Sequence, residues 1–291
     1  MKNTKFNGLT LAIQTPFKAD GAIDFDCYQE LLARYLDTGI DAVLVSSGTG
    51  QHVYLTEQET YQLLDLTVSN NRSQARILFQ TSALNQQEVV RRSVTAQEKG
   101  ADGVMILPPF FEGPADNDGI VAFYQVVSEA ISIEIIGYNV PAATGIEITP
   151  DLFSRLLHLE NFTSVKDSSG DLGKQQMLMP IGPVINGADT LVPYSLYAGA
   201  TGLIWGGANY MPLEAVQLLA LIRSGDYAQA QELWQRIFPV MAYTWNNDYI
   251  PCVNAACRIM GYDGGTVRVP VREISEQTLQ GLKSALEPLM S

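Results

Sequence analysis

The chain has 291 residues, 46% of them hydrophobic and 17% charged, which describes an ordered globular protein able to bury a sizeable core. Its formal charge of −13 excludes a nucleic-acid partner, because phosphate backbones reward basic surfaces. The same charge offers no long-range attraction to an anionic substrate, so a carboxylate would have to be held locally by N–H donors, hydroxyls or a lysine.

Short apolar runs alternate with amphipathic stretches along the first two thirds of the chain. Strands are expected at 9–14, 42–46, 76–81, 103–107, 133–138, 162–167, 183–186 and 202–206. Helices are expected between them at 24–37, 57–70, 86–99, 117–130, 150–159, 172–179 and 190–198. Strands recurring roughly 20 to 34 residues apart with a helix between suit βα units and a parallel sheet. Three segments share one plan: Gly39-Ile40-Asp41 before Ala42, Gly100-Ala101-Asp102 before Gly103, and Gly199-Ala200-Thr201 before Gly202. In each, a glycine suited to a left-handed helix end precedes an apolar run.

Eight such units predict a (β/α)8 TIM barrel over residues 1–208. The rival is an open doubly wound sheet of a dinucleotide-dependent oxidoreductase. Its mark is a glycine-rich turn after the first strand, where this chain has Thr15-Pro16-Phe17. Residues 209–291 read as helices alone. One starts at Pro212, one follows Asp226, one opens at Pro251 and one covers 273–290, forming a C-terminal extension packed on the barrel.

Two histidines, His52 and His158, lie far apart, and Cys27, Cys252 and Cys257 match no metal spacing. No metal and no cofactor are therefore expected. No apolar run approaches the roughly 20 residues of a membrane span, and residues 1–6 lack the apolar core of a signal peptide. A cytoplasmic protein with no membrane partner is expected.

In a barrel the reactive groups sit where strands end. Lys166 closes the sixth strand. An amine attacks a carbonyl only when neutral, so a sheltered mouth that favours the neutral form opens imine chemistry. Read from position alone, Lys166 is either that nucleophile or a rim lysine paired with Asp167 or another rim acid. Tyr138 closes the fifth strand, as a proton shuttle or as a packed edge residue. Ser46-Ser47-Gly48-Thr49-Gly50 follows the second strand, either as an anion-binding nest or as an ordinary tight turn. Thr56-Glu57-Gln58-Glu59 reads as a capping box for the next helix. Phe110, Phe111 and Trp205 are candidate apolar walls.

Together these residues resemble the dihydrodipicolinate synthase and N-acetylneuraminate lyase family of class I 2-oxo acid lyases. The resemblance runs in order through Thr15-Pro16-Phe17, Ser47-Gly48-Thr49-Gly50-Gln51, Leu55-Thr56, Gly100-Ala101-Asp102-Gly103 and Pro108-Pro109-Phe110-Phe111. It continues through Tyr138-Asn139-Val140-Pro141, Thr144-Gly145 and Val165-Lys166-Asp167-Ser168-Ser169-Gly170-Asp171. It implies that Lys166 forms the Schiff base and Tyr138 transfers protons. Ser47, Gly48 and Thr49 would hold the carboxylate of a small 2-oxo acid substrate. Phe111, Gly187 and Ile204 would line the pocket, and the assembly would be a homotetramer built as a dimer of dimers.

Three positions depart from the family pattern. Gly48 and Gln51 stand where the Gly-Thr-Thr-Gly-Glu loop has a threonine and the glutamate. Phe111 replaces a tyrosine hydroxyl. Ala143 stands where synthases of the lysine pathway carry an arginine for the aldehyde's carboxylate, a loss on the order of several kcal/mol at a buried site. These departures favour an aldolase or dehydratase acting on a 2-oxo acid such as a 2-keto-3-deoxy sugar acid. The alternatives are the synthase itself, condensing pyruvate with an aldehyde, and a non-catalytic relative that binds a 2-oxo acid.

Overall fold

The structure is a computed structural model and describes residues 2–111 and 116–290. Eight strands, β1 (Leu9–Ala12), β2 (Ala42–Val45), β3 (Arg76–Gln80), β4 (Gly103–Ile106), β5 (Glu134–Asn139), β6 (Phe162–Asp167), β7 (Val184–Asn186) and β8 (Gly202–Trp205), form a closed parallel barrel in chain order. Most of their residues are buried on both faces, as a parallel sheet covered by helices requires. The helices are α1 (Phe25–Leu36), α2 (Glu57–Asn70), α3 (Gln86–Glu98), α4 (Asn117–Ala130), α5 (Pro141–Thr144), α6 (Pro150–Leu156), α7 (Leu172–Leu178) and α8 (Val192–Ala198). The tail adds α9 (Pro212–Ser224), α10 (Tyr227–Trp245), α11 (Tyr249–Ile259) and α12 (Glu276–Met290).

All eight expected strands are present, several ending a residue or two early. The Gln14 N–H goes to the Asn209 side-chain Oδ1 at 2.9 Å rather than extending β1, and Ser46 turns left-handed with φ 56° just after β2. The three expected glycine caps have positive φ: 87° at Gly39, 98° at Gly100 and 114° at Gly199. The expected capping box is formed, with Thr56 accepting from the Glu59 N–H and Glu59 accepting from that of Thr56. The third tail helix starts at Tyr249, two residues before the expected Pro251, which occupies its first turn and forgoes no helical hydrogen bond there. The three cysteines are free thiols.

The chain forms two compact units that do not follow chain order. One comprises the residues up to Gly8 with Arg76–Ile204, and the other Leu9–Ala75 with the chain from Trp205 onward. In the first, Phe162 packs edge-on against Tyr124 and Phe153, with ring centroids 5.2 and 6.4 Å apart. The Tyr124 hydroxyl, buried with them, donates to the Ile106 carbonyl at 2.8 Å. In the second, buried Asn209 donates to the carbonyls of Ala12 and Gly206 at 2.8 and 2.7 Å and accepts from Gln14. The Tyr35 hydroxyl donates to the Asn209 carbonyl at 2.9 Å, so one asparagine ties α1 and β1 to the turn after β8.

Candidate active site

Lys166 and Tyr138 meet because β5 and β6 pair out of regular step. Ile135 faces Phe162, but Ile136 faces Ser164, so Thr163 has no partner. A continuous register would set Tyr138 opposite Val165 and leave Lys166 on the other face of the sheet. The irregularity instead sets Tyr138 opposite Lys166 and Asn139 opposite Asp167.

Lys166 is 6% exposed, and its Nζ lies 4.2 Å from the centroid of the Tyr138 ring. Gly187 lies against the lysine stem. A Cβ there would come within 2.5 Å of Lys166 Cε, 3.0 Å of its Cγ and 2.3 Å of Ser168 Oγ. The absence of a side chain at 187 is what lets the amine occupy this position.

The opposite face of the two strands carries a buried polar network. Asp167 accepts from Asn139 Nδ2 at 2.5 Å, Ser169 Oγ at 2.7 Å and Gln175 Nε2 at 3.2 Å. Gln175 also donates to Asn186 and accepts from Ser195. Asn139 in turn accepts from the Ile148 N–H. Asp167 is thus occupied by α7 and β5 and turned away from Lys166, and the alternative of a Lys166–Asp167 rim pair falls away.

In the second unit the loop after β2 is shaped by its own backbone. Gln51 N–H donates to Gly48 O and His52 N–H to Ser47 O, both at 3.0 Å. Thr15 Oγ1 donates to Gly50 O at 2.8 Å. Among the described residues, the N–H groups of Gly48 and Thr49 take no part in these bonds, leaving two adjacent donors beside the Thr49 hydroxyl. Residues 48–51 thus form a hydrogen-bonded turn, and successive N–H groups left free in a turn are the kind of donor from which anion nests are built. A Cβ on Gly206 would meet Tyr249 Oη at 2.3 Å and Thr49 Oγ1 at 2.8 Å, so a second hydroxyl, from α11, stands by Thr49.

Ser47 and Ile204 are buried, and Gly48 is exposed. Phe111 is 74% exposed with a left-handed φ of 56°. Ala143, in α5, is exposed and supplies no cation. Sequence reading missed the Asp167 network and Tyr249. The network had a signal, since Asn139 and Asp167 each follow a predicted site residue and so face the other way. Tyr249 lay in a segment that read only as helix.

The profile of the dihydrodipicolinate synthetase family matches residues 5–289. The chain is 30% identical over 289 residues to a 4-hydroxy-tetrahydrodipicolinate synthase of Methanospirillum hungatei, covering 97% of this chain and 98% of the relative. A crystal structure of a dihydrodipicolinate synthase superposes with a TM-score of 0.93 at 27% identity, covering 98% of this chain and 99% of the other. The chloride-inhibited enzyme of Acinetobacter baumannii, solved with pyruvate, gives 0.92 at 25% identity, covering 98% and 99%. Among the described residues no helix is long and apolar enough to cross a membrane. A closed eight-stranded barrel with a lysine one residue from the end of its sixth strand, matched nearly end to end, places this chain in the dihydrodipicolinate synthetase family of class I Schiff-base lyases.

Proposed function

We propose that Lys166 forms a Schiff base with the C2 carbonyl of a small 2-oxo acid and that Tyr138 moves the protons. The observation that carries this reading is the buried Lys166 amine over the Tyr138 ring, each one residue from the end of its strand in the paired β5 and β6. The neutral amine adds to the carbonyl carbon, and the oxygen takes up a proton. Loss of that oxygen as water leaves a protonated imine, with Tyr138 as the acid and base of both steps. The imine nitrogen then accepts the electron pair released when a bond at C3–C4 breaks or a proton leaves C3. Ser47, Gly48 and Thr49 receive the carboxylate, Gly187 and Ile204 shape the pocket, and Phe111 contributes an apolar wall.

Ala143 and Gly48 favour cleavage or dehydration of a 2-keto-3-deoxy sugar acid or similar compound, because no arginine at 143 waits for a second carboxylate. The synthase reaction, pyruvate with an aldehyde, is the second reading. It is favoured by the name of the Methanospirillum relative and by pyruvate in the Acinetobacter structure. Residues 1–208 would act as the catalytic barrel, with 209–291 as its helical support, in a cytoplasmic homotetramer built as a dimer of dimers.

Borohydride added with pyruvate, or with another 2-oxo acid, reduces an imine to a stable adduct that intact-protein mass spectrometry weighs. Wild type gains the mass of the reduced acid and Lys166→Ala gains none. An adduct that persists in Lys166→Ala sinks the assignment. A panel of pyruvate with aldehydes, and of 2-keto-3-deoxy acids alone, separates the two reactions by product.

A further inference from the structure

The loop that offers the Gly48 and Thr49 N–H groups is gripped from outside by one residue of the tail. The Arg268 N–H donates to Gln51 Oε1 at 3.1 Å. Its guanidinium donates to the Tyr54 carbonyl at 2.9 Å and, through both Nη atoms, to Glu59 at 2.8 and 2.7 Å. Nε donates to the Gly21 carbonyl at 2.9 Å, and the guanidinium carbon lies 4.6 Å from the Phe17 ring centroid. The Arg268 side chain is 15% exposed and Gln51 is 4% exposed, so the bonds to Gln51, Gly21 and Glu59 are partly buried, while that to Tyr54 is exposed.

The loop needs such support. Ser46 and Gln51, at its two ends, hold left-handed φ values of 56° and 59° with side chains that disfavour them. Conformations of this kind persist where the surroundings over-determine them. Gln51 is held at its side chain by the Arg268 backbone, and the chain just beyond is held at Tyr54 and Glu59 by the Arg268 side chain. One residue therefore fixes the turn on its far side, and Thr15 fixes Gly50 within it.

We propose that Arg268 and Gln51 are positioning residues that set the carboxylate-receiving shape of the Ser47–Thr49 loop without touching the substrate. The inference rests on the Schiff-base reading above and assigns part of its affinity to the tail. The full-length protein is tested with pyruvate as probe, following borohydride-trapped adduct against pyruvate concentration and thermal unfolding in parallel. Gln51→Met removes one acceptor oxygen, and Arg268→Lys removes the fork while keeping the charge and the backbone N–H.

Both variants should raise the half-saturating pyruvate concentration about tenfold, with a trapping rate at saturation within about twofold of wild type. Gln51→Glu, which keeps an acceptor, should restore the wild-type concentration. Half-saturation that stays at the wild-type value in Gln51→Met and Arg268→Lys, even with a lowered unfolding temperature, overturns the proposal. So does failure of Gln51→Glu to rescue. If wild type itself forms no adduct, the Schiff-base reading falls and takes this one with it, whereas a normal wild-type adduct with unmoved variants removes this one alone.

Discussion

Position 187 has no side chain because the stem of Lys166 fills the space where one would be. The atoms a methyl group would strike are Lys166 Cε and Ser168 Oγ, both movable, so Gly187→Ala should fold and displace the amine instead. A shift of about 1 Å at a reacting group can cost on the order of 100-fold in rate. Adduct formation with pyruvate in Gly187→Ala should fall by about that factor, with a circular-dichroism spectrum like that of wild type. A rate within about threefold of wild type would show that the amine tolerates the crowding and that its position is not fixed by this contact.

Pairing of elements decides which residues share a face, and here one skipped residue decides it. Tyr138 and Lys166 were legible in the sequence because each closes an apolar run, and two apolar runs in neighbouring units become neighbouring strands. Their meeting was not legible. Alternation along β5 and β6 fits either register, and only the unpaired Thr163 brings the phenol and the amine to one side. The same step puts Asn139 beside Asp167 on the other side, where the network ties β5, β6 and α7 together. Asp167→Ala would strand the donors of Asn139 and Ser169, buried and partly buried, and leave Gln175 with Asn186, at a cost of about 3 kcal/mol. Urea unfolding measures it, and a loss below about 1 kcal/mol would mean that the network relaxes freely or is hydrated.

At the scale of the whole molecule, eight βα repeats and a helical tail were legible because they rest on local periodicity and on glycine and proline at element ends. The tail's role was not, because the partners of Arg268 lie near the other end of the chain and no local pattern points to them. The Arg268–Glu59 pair also links stability to acid. Hydrogen bonds from Arg268 first, helped by those from Thr56, pull the Glu59 carboxyl down to about 2. A carboxyl depressed by folding stabilises fully above its unfolded value, near 4.3, and loses that contribution as the pH falls from there towards 2. At pH 7, Glu59→Gln should therefore be less stable by about 3 kcal/mol, the cost of breaking a largely buried pair. The gap between variant and wild type should narrow steadily below about pH 4.5 in thermal melts. A gap that is constant down to pH 3 would show that the pair contributes no acid dependence.

Arg268 lies 217 positions beyond Gln51, and this separation bears on how the protein is made. During synthesis Lys166 and Tyr138 leave the ribosome about a hundred residues before Arg268 does, and domains form from the amino end as the chain emerges. On the proposed roles, a chain that stops short of Arg268 would carry the Lys166 amine with the Ser47–Thr49 loop not yet braced. On the same roles, tight engagement of a 2-oxo acid would await the synthesis of Arg268.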